Sequence, residues 1–262
     1  MSMRIVFFGC TKFSEHLLKN LLQKKHSIVG VFSIPEEFNI SYSDEKVKNT
    51  NFADIKLIAK ENNISHYEVD SVSGKKTSDY SHEIMKLKPD VILVLGWYYM
   101  VPKSIRDIPK YGAWGIHASL LPKYAGGAPL VWSIIKGEKE TGVTLFRMES
   151  GVDDGDIISQ KSFPILEQDT IKEVYEKATI SSINILEEVL ISPNIQFNPQ
   201  DKTKIEIYPQ RSPEDGLIDW SWDVERIKNF IRAQTKPYPG AYTILNNKKI
   251  TIWDANIIEE NP

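Results

Sequence analysis

One histidine and three aspartates in the middle of the chain have the residue types that proton transfer requires. His117 stands between the apolar runs YGAWGI and ASLLP, and GVDDGD at residues 151–156 carries Asp153, Asp154 and Asp156. A histidine exchanges a proton near neutral pH, and a neighbouring carboxylate can orient its ring. These carboxylates could orient a histidine, bind a cation or cap a turn. Their spacing matches neither a calcium loop nor a histidine-rich zinc pattern, so we predict no metal site.

A glycine pair lies between the histidine and the aspartates. The segment KYAGGAP, residues 123–129, places Gly126 and Gly127 where the backbone must approach another group closely. Pro129 is typical of the first position of a helix. Surface turns also use Gly-Gly, so the pair by itself leaves a binding role open.

Alternating strands and helices must position these groups. Short aliphatic runs predict strands, and apolar residues spaced three or four apart predict helices. This alternation predicts an α/β fold with a Rossmann-like, doubly wound, mostly parallel sheet. His117 should then lie at the C-terminal end of a strand, where such sheets hold their ligands. The predicted strands are 4–9, 27–33, 90–96, 143–148 and 157–165, and the predicted helices cover parts of 11–25, 51–63, 79–88 and 170–191.

The composition changes after residue 192. We expect residues 1–192 to form the catalytic domain and 193–262 to form an appendage of polar linker, short helix and β-hairpin. Ser221 is the predicted N-cap of the short helix. The hairpin should turn at Asn246-Asn247, since asparagine tolerates positive φ. A surface loop is predicted at 34–51.

Length and composition narrow the class of protein. The chain has 262 residues, of which 41% are hydrophobic, enough for a substantial core. No apolar run is long enough to span a membrane and no secretion signal is evident, which predicts a cytoplasmic protein. We interpret the single cysteine, Cys10, as a small residue at a strand end rather than a nucleophile. The net charge of −3 argues against strong nucleic-acid binding, although a local basic patch could still hold RNA.

Taken together, the motifs resemble one family. The segment GIHASLLPKYAGGAP followed by ETGVTLFRMESGVDDGDII resembles the signature of the folate-dependent formyltransferases, in which Asn-x-His-Pro-Ser-Leu-Leu-Pro precedes a glycine loop, Glu-Thr-Gly-Val-Thr and Gly-(Leu/Val)-Asp-x-Gly-Asp. The first strand and the segment SPEDGLIDW to DANI extend the resemblance to methionyl-tRNA formyltransferases and their sugar-modifying relatives. Most of the chain is covered.

The resemblance implies transfer of a formyl group from 10-formyl-tetrahydrofolate to a primary amine. His117 matches the catalytic histidine of the family, which takes a proton from the amine or steadies the developing oxyanion. Asp153 matches the catalytic carboxylate that orients it, and Asp156 fixes the turn. The residues expected to bind the folate are Gly96, Trp97, Tyr98, Tyr99, Met100, Val152, Asp154 and Asp156.

One departure from the family pattern affects catalysis. Gly115 stands where the family has an asparagine whose amide is expected to bind the formyl oxygen, and loss of such a donor costs about 10²–10³ in rate. A backbone N–H or Ser119 could replace it, a water could fill the gap, or the protein could be a silent binding relative. We expect an active enzyme, because His117 and Asp153 are both present.

The acceptor is expected to be the amine of a nucleotide-linked dideoxy amino sugar destined for bacterial surface glycans. The tRNA enzymes carry a basic insertion after the second strand and a complete C-terminal barrel. Here residues 34–46 hold four acids and one lysine, and the sequence ends after one hairpin. Methionyl-tRNA is the alternative acceptor; a glycinamide nucleotide fits less well, because those enzymes are shorter. A homodimer through the hairpin edge is expected. The predicted sugar-nucleotide contacts are Thr11, Lys12, Ser119, Lys123, Gly126 and Gly127.

Overall fold

A central sheet with helices on both faces organises the protein. This computed structural model describes residues 2–39, 46–70 and 74–258. Its strands are β1 (Arg4–Phe8), β2 (Ser27–Ser33), β3 (Glu37–Phe38), β4 (Val47–Lys48), β5 (His66–Glu68), β6 (Val91–Val94), β7 (Ala113–His117), β8 (Ala125–Gly126), β9 (Glu140–Arg147), β10 (Ile157–Pro164), β11 (Ile207–Tyr208), β12 (Ala241–Leu245) and β13 (Lys248–Ile252). Its α-helices are α1 (Lys12–Gln23), α2 (Ile55–Glu61), α3 (Ser81–Leu87), α4 (Lys103–Arg106), α5 (Pro129–Ile135), α6 (Ile171–Leu190) and α7 (Val224–Arg232), with 3-10 turns at Thr77–Tyr80, Lys202–Lys204 and Pro213–Gly216.

The main sheet confirms the predicted fold class. Within the described residues it has seven strands in the order β10-β9-β7-β6-β1-β2-β5. The five strands from β5 to β7 are parallel, whereas β9 and β10 add an antiparallel pair at one edge. The order reverses beside β1, so loops after β1, β6 and β7 open on the same edge, where ligand sites of such sheets lie.

Strand β1 shows how the sheet builds two cores. Successive side chains of a strand point to opposite faces. Ile5 and Phe7 pack in the larger cluster with residues of α1, α5 and α6. Val6 and Phe8 pack in the other cluster with residues of α3 and α4. A strand buried on both faces explains why its sequence is continuously apolar.

Two local predictions were wrong. The predicted loop at 34–51 contains the antiparallel pair β3 and β4, and Phe38 is buried against a small cluster that includes Cys10. Residues 40–45 of that loop lie outside the described residues. The N-cap of α7 is Asp223 rather than Ser221, because the Asp223 carboxylate accepts the backbone N–H of Arg226. The hairpin prediction is confirmed, with both turn asparagines at positive φ.

The segment after residue 192 runs back across the main domain. Strand β11 pairs in parallel with β8, and Asn198 forms a two-way backbone pair with Ile157. The predicted linker therefore contributes to the region around the glycine loop. Division of the chain at residue 192 stays a prediction. Among the described residues, we find no helix with the length and apolar character that crossing a bilayer requires.

Candidate active site

His117 is the last residue of β7 and lies at the edge of the sheet predicted from the sequence. Its side chain is buried, and Nε2 lies 2.7 Å from the backbone oxygen of Tyr124. Because a carbonyl oxygen only accepts, Nε2 carries the proton of this hydrogen bond. Nδ1 faces the carboxylate of Asp153 at 3.4 Å. Both ring nitrogens therefore have a defined oxygen partner.

Asp153 joins two loops through one oxygen. Its Oδ2 accepts the backbone N–H of Gly126 at 2.9 Å and lies next to His117. The residue has φ +48°, a left-handed conformation that costs a non-glycine residue about 1–3 kcal/mol and recurs at functional sites. The strained backbone directs the carboxylate back toward β7. This places the two residues of the predicted catalytic pair in contact.

The pair can hold and move a proton. A proton on Nδ1 would lie between the imidazole and the carboxylate, while Nε2 stays bonded to a carbonyl. The distance of 3.4 Å is longer than a good hydrogen bond, and such contacts tighten when substrate binds. Burial of the ring strengthens its interaction with the carboxylate. The catalytic roles of His117 and Asp153 stay predictions.

The aspartate turn is closed by backbone contacts. The N–H of Arg147 donates to the carbonyl of Asp156 at 2.9 Å, which makes residues 148–155 a compact loop. A Cβ on Gly155 would lie 1.7 Å from the carbonyl oxygen of Arg147. Glycine is thus required where the ends of the loop meet. Asp154 forms an ion pair with Lys202 at 2.8 Å through Oδ2, while its buried Oδ1 has no hydrogen-bond partner in residues 2–39, 46–70 and 74–258.

The space beside Gly115 is occupied. Gly115 and His117 share a face of β7, and a Cβ on Gly115 would lie 3.2 Å from the ring of Phe146 and 3.5 Å from Met148. An asparagine would need these neighbours to move. The absence of the family amide is thus accompanied by apolar packing in its place.

The predicted substrate residues divide into buried and exposed groups. Thr11 is the N-cap of α1, and its hydroxyl bonds with Ser14. The Ser119 hydroxyl is fully buried and donates to the carbonyl of Lys123 at 2.6 Å. Both hydroxyls are buried and hydrogen-bonded within the protein, and their contacts with a substrate stay predictions. Lys12 and Lys123 are exposed.

The glycine pair contacts the chain itself. A Cβ on Gly126 would lie 2.5 Å from the carbonyl oxygen of Tyr208, and one on Gly127 would lie 2.4 Å from Gln210. The Gly127 N–H donates to Tyr208 at 2.8 Å. The close approach predicted for these glycines therefore brings in the segment after residue 192.

The loop after β6 is the predicted folate loop. Gly96 has φ +66° and packs against Thr11. The Tyr98 hydroxyl donates to Asn49, and the Tyr99 hydroxyl donates to the carbonyl of Asn39. These aromatic residues thus also hold the segment between β2 and α2.

The loop after β6 and the loop after β9 carry apolar side chains and one buried polar group that bear on the predicted folate site. Trp97 and Met148 both pack against the apolar cluster that contains Phe8 and Val94. Among the described residues, the buried Nε1 of Trp97 has no hydrogen-bond partner. Met100 is 79% exposed and Val152 is 49% exposed. Folate binding by this region stays a prediction.

Two other observations bear on the chemistry. Burial raises the pKa of the Cys10 thiol to about 12, which agrees with its interpretation as a packing residue. Within the described residues, no group of three or more histidine, cysteine, aspartate or glutamate side chains could hold a metal ion.

Comparison with known families now identifies the fold. A family model described as formyl transferase matches residues 3–190, and one described as formyl transferase, C-terminal domain, matches residues 211–262. The chain belongs to the formyl transferase family. The predicted resemblance is confirmed, and so is the predicted formyl donor, since this family uses 10-formyl-tetrahydrofolate.

Individual formyltransferase relatives cover nearly the whole chain. It is 34% identical to a methionyl-tRNA formyltransferase of Caldanaerobacter subterraneus over 98% of this chain and 82% of that protein. It is 41% identical to the bifunctional polymyxin resistance protein ArnA of Wigglesworthia glossinidia brevipalpis over 99% of this chain and 38% of that protein. A sugar N-formyltransferase structure from a Shewanella species has a TM-score of 0.71 at 18% identity, covering 98% and 99% of the two chains, and this shows the shared fold.

Sequence reasoning missed two residues near the formyltransferase site. Gln200 contacts the aspartate turn, and Arg211 lines a neighbouring cavity. Both lie in a polar, proline-containing segment without strand or helix periodicity, so no local signal marks them. Their positions become evident only when the chain returns to the site.

Proposed function

We propose that this formyltransferase moves a formyl group from 10-formyl-tetrahydrofolate to the amine of a nucleotide-linked amino sugar. The observation that carries the proposal is the contact of His117 Nδ1 with Asp153 Oδ2 at 3.4 Å, inside a formyltransferase fold. The folate supplies an activated formyl group. The protein supplies orientation, proton transfer and a site from which water is excluded.

His117 and Asp153 manage the proton of the reaction. The amine nitrogen of the acceptor forms a bond to the formyl carbon, and the bond from that carbon to N10 of the folate breaks. One proton leaves the amine and one reaches N10, so the products are a formamide and tetrahydrofolate. The pair relays this proton, since the carboxylate stabilises the ring while it is charged.

We place the folate between the loop after β6 and the aspartate turn. The indole N–H of Trp97 provides a donor without a partner among the described residues, and Met100 and Val152 provide apolar surface. A backbone N–H or a water takes the place of the family amide near the formyl oxygen, because the Ser119 hydroxyl donates to the carbonyl of Lys123. Gly115 itself offers no side-chain donor.

A cavity beside the glycine loop suits the acceptor. It has a volume of about 320 Å³, which is large enough for part of a nucleotide. Its walls come from the start of α5, the segment at 210–213, the segment at 234–240 and Thr50. Helix α1 begins next to it, because the N–H of Lys12 bonds to the carbonyl of Asn51.

Arg211 gives this cavity its charge. The guanidinium stacks on Trp132 and donates to Gln234 and to the carbonyl of Asp215, and it forms no ion pair with a described carboxylate. Burial lowers the pKa of Arg211, yet arginine stays charged at neutral pH. The nearby Asp215 carboxylate offsets part of this charge, and the half-buried guanidinium can still bind a diphosphate.

Methionyl-tRNA is the second candidate acceptor. The relative from Caldanaerobacter is a methionyl-tRNA formyltransferase that matches nearly the whole chain, so the net charge alone does not set tRNA aside. The acidic residues at 34–46 favour the sugar, because they lie in the segment where the tRNA enzymes are basic. The two acceptors differ enough in charge and size for a direct comparison.

We also propose a homodimer that acts in the cytoplasm and feeds the synthesis of surface polysaccharide. Ile244, Leu245 and Ile250 of the β12–β13 hairpin are 59%, 59% and 43% exposed, and a second copy would cover them. Sedimentation at micromolar concentration tests this part. A monodisperse monomer would refute it.

Release of tetrahydrofolate is the decisive measurement for the acceptor. The purified protein is incubated with 10-formyl-tetrahydrofolate and nucleotide-linked 3-amino or 4-amino sugars, with methionyl-tRNA in parallel. Turnover with one sugar, absent in His117→Ala, supports the proposal. Turnover with tRNA alone replaces the acceptor. No turnover with any acceptor favours a silent binding protein.

The cavity is tested with Arg211→Gln and, as a matched control, Arg226→Gln. Arg226 stacks on Trp222 at the surface of α7, so its loss removes a stacked arginine away from the cavity. We expect Arg211→Gln to raise KM for the nucleotide sugar about 10- to 100-fold, the effect of losing a charged hydrogen bond. An unchanged KM in a folded variant would place the phosphates elsewhere.

A further inference from the structure

Residues 198–208 pass over both loops of the catalytic pair. Asn198 and Ile157 exchange two backbone hydrogen bonds of 2.8 Å at the end of the aspartate turn. Tyr208 pairs with Gly126, whose N–H in turn donates to Asp153. We name residues 198–208 the strap. The strap therefore contacts the turn that carries Asp153 and the loop that binds its carboxylate.

Gln200 is the residue of the strap whose side chain hydrogen-bonds to the aspartate turn. Its Nε2 donates to the carbonyl of Asp153 at 2.7 Å and to the carbonyl of Gly155 at 2.6 Å. The side chain is 9% exposed, so these bonds are shielded from water. Within the part of the chain that the structure describes, its buried Oε1 has no hydrogen-bond partner. The amide thus acts toward the turn only as a donor, with one proton for each carbonyl.

The bonds fall where the turn needs support. Asp153 has φ +48°, so its backbone lies in a conformation that local sterics disfavour. Two carbonyls, one on Asp153 and one two residues later, are held by a single amide. Their separation is set by the two protons of one NH₂ group. Rotation of the Asp153 backbone would break at least one of these bonds.

We propose that Gln200 is a positioning residue that sets the orientation of Asp153 toward His117. Gln200 acts through the backbone of Asp153, since its amide bonds to carbonyls and not to either catalytic side chain. The carboxylate receives a second constraint from the N–H of Gly126. Together these bonds constrain both the backbone and the carboxylate of Asp153. The inference rests on the proposed function, in which this pair relays the proton.

The test compares variants of Gln200 with one neighbouring variant. Gln200→Ala removes both donors, and Gln200→Glu replaces them with oxygens that repel two carbonyls. We expect kcat to fall about 10²-fold in Gln200→Ala, with KM for both substrates little changed, because misplacement by about 1 Å has this effect. Gln200→Glu should fall further. Lys204→Ala, also on the strap, is the control, since its ion pair with Asp201 is exposed and contributes little.

A double-mutant cycle separates positioning from stability. In an Asp153→Asn background, where the carboxylate is already lost, Gln200→Ala should have little additional effect on kcat. An equal fold-loss in both backgrounds would overturn the proposal, as would an unchanged kcat in a folded single variant. If Gln200→Ala does not fold, Gln200→Met keeps the volume without the donors and serves in the same cycle.

A spectroscopic readout makes the test independent of turnover. With ¹⁵N-labelled histidine, the His117 ring signals are assigned by their loss in His117→Ala. We expect Gln200→Ala to shift them in the same direction as Asp153→Asn, and Lys204→Ala to leave them in place. Unchanged ring signals in Gln200→Ala would overturn the positioning role. Absence of turnover in the wild type, with shifted signals, would instead count against the proposed function alone.

Discussion

The two loops that enclose the proposed folate site are built in opposite ways. In the aspartate turn, Asp153 is held at its carboxylate by Gly126 and at its carbonyl by Gln200. In the loop after β6, Met100 is 79% exposed and the Trp97 indole N–H has no hydrogen-bond partner among the residues described. In the proposed mechanism, the aspartate turn fixes the reacting geometry before any ligand arrives. The other loop presents surface that a ligand would complete.

This contrast divides the work of a transferase. Proton relay depends on atoms placed within fractions of an ångström. A strained backbone held by buried hydrogen bonds keeps the reacting groups in that position. Binding of a planar ring depends more on area than on exact placement. We therefore expect substitutions in the aspartate turn to lower kcat, and substitutions in the loop after β6 to raise KM.

Among the substitutions at the catalytic pair and the aspartate turn, removal of the His117 side chain should lower kcat the most. We expect His117→Ala to lower kcat by about 10²–10⁴, the usual contribution of general acid–base catalysis, with a similar melting temperature. Tetrahydrofolate release measures it. His82→Ala, at an exposed position of α3, is the matched control and should retain full activity. Comparable losses in both variants would remove His117 from the reaction.

Gly155→Ala should distort the backbone of the aspartate turn. The new Cβ would lie 1.7 Å from the Arg147 carbonyl oxygen, so the ends of the turn must separate. We expect a loss of about 1–3 kcal/mol in unfolding free energy, together with a fall of about 10²-fold in kcat. Denaturant unfolding and turnover measure the two. Ser150→Ala, exposed in the same turn, should change neither.

Gly115→Asn tests whether the amide of the family asparagine can be restored where apolar side chains now pack. Phe146 and Met148 would have to yield, and we expect a loss of about 1–3 kcal/mol without a gain in turnover. Thermal unfolding and tetrahydrofolate release measure this outcome. The double variant Gly115→Asn with Phe146→Ala tests the steric cause. A stable and faster single variant would show that the packing yields and that the amide donor was missing.

The sequence predicted the sheet and the place of His117 because both depend on local patterns. Strand β1 is continuously apolar, and His117 ends a strand between two apolar runs. The pairing of His117 with Asp153 came from the family signature, since the residue types alone left capping and cation binding open. Nothing local reports which of three aspartates turns toward a ring.

The support for the site could not be predicted, because it is long-range. Gln200 bonds to a residue 47 positions away, and Phe146 fills the space at Gly115 only once β7 and β9 pair. The glycine pair was predicted to approach a ligand, and its closest neighbours are Tyr208 and Gln210 of the same chain. A glycine signals close approach but not the identity of the partner.

Met100→Ala should have the smallest effect on activity, because it changes only the loop after β6. The side chain is largely exposed, so its loss costs the free protein little, whereas a bound folate would cover it. Burying such a side chain contributes about 1.5–3 kcal/mol at most, so we expect about a tenfold rise in KM for the folate with kcat retained. Met85→Ala, 52% exposed on α3, is the control. A fall in kcat instead would mean that the loop after β6 also sets the reacting geometry, and the two loops would then share one task.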